Sequence, residues 1–196
     1  MPFETERTIL RPFQPGDSEL LLNLYNDPEI QSLAFTDYVA PKLEKWIKEM
    51  ASSHENSPGF LGLVEDKATR AFVGHVSLTI SGAKNRNCSF GIALKREWWG
   101  KGIGTEITRW LVNHAFGKLA VHRITLKVLA NNDRALAVYK RVGFVEECRV
   151  RKYNWDDGKR LDLVSLVILD EEWDVQRGVK VSHKIEAQLL RAEPPL

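Results

Sequence analysis

Gly100, Gly102 and Gly104 stand at alternate positions in Trp98-Trp99-Gly100-Lys101-Gly102-Ile103-Gly104-Thr105, the stretch of the chain best suited to chemistry. An apolar run at residues 90–94 precedes it. Ile103, Ile107, Trp110, Leu111 and Ala115 follow at helical spacing. The order reads as strand, glycine loop, helix. Glycines let backbone N–H groups close on a phosphate without Cβ clashes, and a helix N-terminus adds partial positive charge. A diphosphate is the natural occupant of such a loop. Two familiar phosphate loops are excluded by spacing. A Walker A loop needs Gly-Lys-Ser/Thr, whereas Lys101 is followed by Gly102. A dinucleotide fingerprint needs G-x-G-x-x-G, and position 105 is Thr. Taken alone, the loop can also be read as a glycine-rich turn with no ligand, the lesser of the two readings.

A second motif narrows the reading. Asn132-Asp133-Arg134-Ala135 lies about thirty residues beyond the loop, followed by Tyr139-Lys140-Arg141-Val142-Gly143-Phe144. Together the two resemble the GNAT superfamily of acetyl-coenzyme A-dependent N-acetyltransferases. The loop resembles the family's pyrophosphate pattern, Gln/Arg-x-x-Gly-x-Gly/Ala, with Trp99 at the Gln/Arg position. The second motif resembles the family's N-x-x-A and Y-x-x-x-G-F elements. Thr8-Ile9-Leu10-Arg11-Pro12, the Trp-Gly-Lys-Gly run, and Asp157-Gly158-Lys159 with Asp162 are similar to the RimJ/RimL branch of ribosomal-protein N-acetyltransferases. The resemblance spans roughly residues 5–173.

The resemblance implies acetyl-CoA as co-substrate, an amine acceptor (a protein N-terminus or a small molecule) and no metal. Backbone N–H groups from Trp99, Gly100, Lys101, Gly102, Ile103, Gly104 and Thr105 are expected at the pyrophosphate. Peptide groups of Ile92 and Leu94, with Ala93 between them, are expected to pair with pantetheine. Gly91 is read as a bulge or a close approach. Asn132 is expected beside the co-substrate and also suits a helix N-cap. Tyr139 follows it by two helical turns, so both face one way. A phenol with pKa near ~10 can protonate a leaving thiolate whose conjugate acid is near ~8.5, which makes Tyr139 the expected general acid. On spacing alone a core tyrosine fits equally well.

The base is less plain. Many relatives carry Glu where this chain has Ser89, and a neutral serine cannot replace a carboxylate. The candidates are His75, His122, Glu65, Asp162, or water relayed through Ser89 or backbone carbonyls. Without a carboxylate, an α-amine is the better matched acceptor. At pH 7 it loses its proton for ~1.4 kcal/mol, against ~4.6 kcal/mol for a lysine side chain. A non-catalytic acyl-CoA sensor would keep the loop and need no proton chemistry, and is the alternative. So is acetylation of a small-molecule amine.

The elements around these residues follow from pattern. Residues 7–13 read as a strand, and Asp17 as an N-cap before Leu20, Leu21, Leu24 and Tyr25. Leu43, Trp46, Ile47 and Met50 make a second helical stripe. Residues 60–65, 71–80 and 87–94 read as an antiparallel meander. A strand at 123–129, a helix at 133–141, and a hairpin of 145–153 with 160–169 follow. The class is α/β (α+β): a single GNAT-like domain at 5–173, with a mixed central sheet of six to seven strands flanked by helices and splayed at the co-substrate site. Residues 174–196 form an extension whose Val181, Ile185, Leu189 and Leu190 stripe is expected to pack on the domain or a second subunit.

At 196 residues the chain fits one domain with a full core. A net charge of +2 gives no bulk field for nucleic acid. Cys88 and Cys148 make no disulfide framework and favour a reducing compartment. No apolar run spans a bilayer, and the acidic N-terminus lacks a signal's apolar core. A cytoplasmic monomer or homodimer is expected.

Overall fold

The computed structural model describes residues 3–55, 59–81 and 84–176. β1 (Thr8–Arg11) stops before Pro12, which has no N–H for a ladder. α1 (Ser18–Tyr25) buries Leu21, Leu24 and Tyr25. Asp17 stands at the N-cap position of α1, but its carboxylate does not cap the helix. It accepts instead from Arg11 Nη1 and Nη2 at 2.7 and 2.8 Å and from the Gln14 N–H at 2.7 Å.

Apolar periodicity does not announce α2 (Pro28–Ala34). Its signal lies at its start, where the Asp27 side chain accepts from the Glu29 and Ile30 N–H groups and Pro28 fills a position that needs no N–H. α3 (Glu44–Glu55) carries the Trp46, Ile47 and Met50 stripe.

β2 (Gly59–Asp66), β3 (Phe72–Ser81) and β4 (Asn87–Leu94) form the expected antiparallel meander. α4 (Ile103–Lys118) returns the chain to β5 (Arg123–Leu129), and α5 (Asp133–Val142) leads to the hairpin of β6 (Val145–Asp156) and β7 (Lys159–Leu169). Asp157 and Gly158 turn that hairpin with φ of 42° and 77°, the left-handed pair that a two-residue turn requires. α6 (Asp170–Gln176) ends the described chain.

The seven strands run in the order β1-β2-β3-β4-β5-β7-β6. All neighbours are antiparallel except β4 and β5, because α4 carries the chain back to the same end. That parallel pair is in register only at Asn87–Arg123, Cys88–Ile124 and Ser89–Thr125. Beyond Ser89 the two strands part, which is the expected splay.

The bulge suggested at Gly91 is not formed. β3 and β4 keep unbroken register from Gly74–Leu94 to Ser81–Asn87. Gly91 is needed for close approach: a Cβ there would stand 2.8 Å from Ser77 Oγ.

Two buried clusters hold the layers together. The larger joins Val76, Leu78 and Phe90 of the sheet to Ile103, Ile107 and Leu111 of α4, and to Tyr139 and Phe144. The smaller packs α1, α2 and α3 through Leu21, Leu24, Tyr25, Ile30 and Ile47 onto Ala93. Each such side chain contributes about 1.5–3 kcal/mol through burial. β4 therefore faces a different helix layer on each side. Among the described residues no helix is long and apolar enough to cross a membrane. The stripe expected at 181–190 lies outside the described residues.

Candidate active site

A cavity of about 540 Å³ opens where β4 and β5 separate, lined by residues 90–94 of one strand and by Lys127 and Val128 of the other. One end is built from the glycine loop, α4 and α5. The other is built from β3 and the layer of α1, α2 and α3.

The glycine-loop end supplies donors and positive charge. Gly102 is the N-cap of α4, with φ 79° and no capping side chain, and Gly100 has φ 72°. Side-chain-bearing residues adopt such angles only with strain. The Glu106 N–H bonds back to the Gly102 carbonyl at 3.1 Å, so Ile103, Gly104 and Thr105 lie in the first turn, whose N–H groups have no acceptor within the helix. Lys127, Arg134 and Arg141 line the same cavity.

Trp99 fixes part of this end. Its Nε1 donates to the Leu94 carbonyl at 2.8 Å, and the Arg134 guanidinium lies 3.5 Å from the centre of its ring. Arg7 braces the loop from β1's side: Nη1 donates to the Lys101 carbonyl at 2.9 Å and Nε to Glu106 at 2.7 Å. Burial alone would raise the Glu106 carboxyl, but hydrogen bonds from Thr5 and Arg7 outweigh it and hold it below its ordinary value. The Trp98 indole nitrogen is buried without a hydrogen-bond partner among the described residues. An orphaned donor, an uncapped helix start and three cations suit an anionic diphosphate with a polar arm.

Of the residues expected at the co-substrate, Ile92, Ala93, Leu94, Trp99, Gly100, Gly102, Gly104, Thr105, Asn132 and Tyr139 all line this cavity. Lys101 and Ile103 do not. Lys101 Nζ lies 5.2 Å from the centre of the Trp98 ring, and the Ile103 side chain is buried in the larger cluster. Asn132 is the N-cap of α5, its Oδ1 accepting from the Ala135 N–H at 3.1 Å.

The Tyr139 ring packs edge-on against Phe90 and Phe144, at centroid distances of 6.0 and 5.9 Å. Burial pushes its phenol above the ordinary value, so it stays protonated at neutral pH. Its hydroxyl makes no hydrogen bond to the described residues.

The candidate bases separate clearly. Ser89 is exposed and does not line the cavity. His122 is exposed, 2.9 Å from the Asn85 carbonyl. Glu65 is held by Arg11 and Arg70. Asp162 accepts the Lys152 N–H at 2.9 Å. Among these, His75 alone lines the cavity, buried, with Nδ1 2.8 Å from the Tyr25 hydroxyl. Tyr25, Phe35, Met50, Trp98 and Arg134 also line it without having been assigned a role in the sequence. The N-terminal signal at Asp27-Pro28 is the clue to the wall formed by α2.

The family model for the acetyltransferase (GNAT) domain matches residues 7–145, well over half of the chain. The chain belongs to the GNAT acetyltransferases. It is 33% identical over 182 residues to YdaF of Bacillus subtilis (strain 168), named as a ribosomal N-acetyltransferase, covering 88% of this chain and 96% of that protein. It is 26% identical over 156 residues to the L-amino acid N-acetyltransferase AaaT of Escherichia coli (strain K12), covering 79% and 93%. The crystal structure of spermidine N-acetyltransferase from Vibrio cholerae in complex with CoA and spermine matches with a TM-score of 0.75 and 26% identity, over 85% of this chain and 97% of that one. This GNAT chain is an N-acetyltransferase, and the family uses acetyl-CoA.

Proposed function

We propose that the chain transfers the acetyl group of acetyl-CoA to a primary α-amine, foremost a protein N-terminus, with Tyr139 as general acid. The observation that carries this reading is the Tyr139 hydroxyl, which has no described protein partner and belongs to the same cavity as the parted strands and the uncapped start of α4. The pyrophosphate would rest on the first-turn N–H groups of α4, with Arg134 and Lys127 nearby. Pantetheine would run along Ile92, Ala93 and Leu94, where the Leu94 carbonyl already accepts from Trp99.

The neutral amine attacks the thioester carbonyl, forming the N–C bond. Collapse of the tetrahedral intermediate breaks the C–S bond, the phenol proton passes to the thiolate, and the phenolate regains a proton from water before the next turnover. The amine proton leaves to water or to the His75–Tyr25 pair. Approach and orientation inside the cavity lower the barrier further.

Ser89 no longer carries the acceptor argument, because it stands outside the cavity. The cavity itself carries it. None of its described lining residues is Asp or Glu. The smaller deprotonation cost of an α-amine, ~1.4 against ~4.6 kcal/mol for lysine, then favours that acceptor. Similarity to the RimJ/RimL branch and to YdaF supports the same reading, in a cytoplasmic monomer or homodimer. Cys88 and Cys148 are both free, as suits a reducing compartment.

The test is thiol release with one peptide offered with only its N-terminus or only its lysine side chain free. Faster acetylation of the N-terminus is expected. Preference for lysine would overturn the α-amine reading. Acetyl-CoA binding without thiol release from any amine would make the chain a sensor.

A further inference from the structure

The relatives named above bear the names of different amine acceptors, so family membership leaves the acceptor open and the cavity wall must be read directly. We infer that the acceptor amine sits next to an apolar or aromatic side chain and is not a polyamine. This rests on the proposed amine acetylation and specifies the acceptor for the same site.

The acceptor end is walled by Ile30, Leu33, Phe35 and Met50, with Tyr25 and His75 at its floor. Ile30, Leu33 and Phe35 carry no hydrogen-bonding side-chain group, and Met50 offers only a weakly accepting thioether. Ser77 of β3 adds one hydroxyl, and Tyr25 and His75 bond to each other at 2.8 Å. Spermidine bound through one neutral amine still carries two ammonium groups at neutral pH. A buried ammonium needs a carboxylate or several acceptors to replace its water. No described lining residue is a carboxylate, and the charged ones, Lys127, Arg134 and Arg141, are cations.

Aromatic faces are the other means of holding an ammonium. Here they are already engaged. Lys42 Nζ lies 5.3 Å from the centre of the Phe35 ring and 5.4 Å from that of Trp46. Phe35, Trp46 and Tyr25 also pack against one another, with centroids 5.2 to 5.4 Å apart. A second cation brought to these rings would meet Lys42. An apolar side chain instead gains burial against them.

Both a free amino acid and the first residue of a peptide present this chemistry. Acetylation is therefore measured with phenylalanine, phenylalaninamide, a Phe-led peptide, its Gly-led counterpart, and spermidine. Acetyl-CoA binding is followed separately by calorimetry. The expected result is a kcat/KM at least tenfold higher for the best phenylalanine acceptor than for spermidine, and higher than for the Gly-led peptide. The phenylalanine arms identify the source, and either one supports the inference.

Phe35→Asp should raise relative turnover of spermidine at least fivefold. Lys42→Glu, a change at a partly exposed side chain, should act in the same direction should Phe35→Asp fail to fold. Spermidine turned over as well as the phenylalanine acceptors, or no preference for Phe over Gly, would overturn the inference while amine acetylation stands. Thiol release from none of these amines, with acetyl-CoA bound, would overturn both.

Discussion

Tyr139 stands where the core meets the cavity. Its ring belongs to the larger core cluster while its hydroxyl is left for the cavity. Tyr139→Phe keeps the ring contacts and removes only the proton. Turnover should fall ~10²-fold or more, with acetyl-CoA affinity within about twofold. Thiol release under chemistry-limited conditions and calorimetry measure the two quantities. Near wild-type turnover would leave Tyr139 a packing residue. Because burial raises the phenol, wild-type activity should show no alkaline loss from this group below about pH 10. At Gly102, φ of 79° strains any branched side chain, and a Cβ there would stand 3.4 Å from Arg7 Nη2. Gly102→Val should weaken acetyl-CoA binding at least tenfold, ~1.4 kcal/mol, and unchanged affinity in a folded variant would defeat the loop assignment. Asn132 and Tyr139 were singled out through the N-x-x-A and Y-x-x-x-G-F resemblance, since helical spacing puts them on one face but fits a core tyrosine equally well. His75 was visible only as one weak candidate among several. Its pairing with Tyr25 spans fifty positions, and no local pattern encodes such a contact.

Among the elements, the glycine loop depends on a brace from the opposite end of the chain. Arg7 spans 94 positions to the Lys101 carbonyl and also grips Glu106 in the first turn of α4. Arg7→Ala should raise the dissociation constant for acetyl-CoA several-fold and leave kcat at saturation nearly unchanged. An equal loss in kcat would show that the brace serves the reacting atoms as well. Most elements could be read from the sequence: β5 matches its expected limits, and the Asp157-Gly158 turn sits where its dipeptide predicts. α2 was missed because seven residues give too little apolar periodicity, although Asp27-Pro28 marks its start. The cost of that omission was functional, since Ile30, Leu33 and Ala34 form one wall of the cavity. At α1 the capping residue was correctly positioned but its side chain was spoken for, because Arg11 and the upstream Gln14 N–H already occupy the Asp17 carboxylate.

At the scale of the whole molecule, Arg11 ties β1, α1 and β2 together through Asp17 and Glu65. Its hydrogen bond chiefly, aided by the Gln14 N–H and opposed by burial, holds Asp17 below the ordinary carboxylate value. The unfolded value is ~3.9, so this stabilisation is fully present above about pH 5 and disappears as the pH falls through the folded value. Arg11→Met should cost about 3 kcal/mol near neutrality, chiefly by stranding the Asp17 carboxylate while Glu65 keeps Arg70, and should lose much of that penalty in acid, where Asp17 protonates. Thermal melts from pH 7 down to 3 would read this, and a penalty that does not shrink in acid would assign Arg11 to packing alone. The meander and the hairpin were each apparent from the sequence, but the length of the parallel pairing of β4 with β5 was not, since nothing local fixes where two parallel strands part. That seam of three registers between β4 and β5 is the described strand pairing between two otherwise antiparallel half-sheets, which share the larger buried cluster. A molecule divided in this way should exchange its amide hydrogens soonest along the seam. A bound co-substrate spanning both halves would act as a staple. At a hundred times its dissociation constant, it would add ~2.7 kcal/mol to the folded state and slow exchange at residues 89–94 and 125–129 first. Saturation with acetyl-CoA would then govern how long the protein lasts as well as how fast it works.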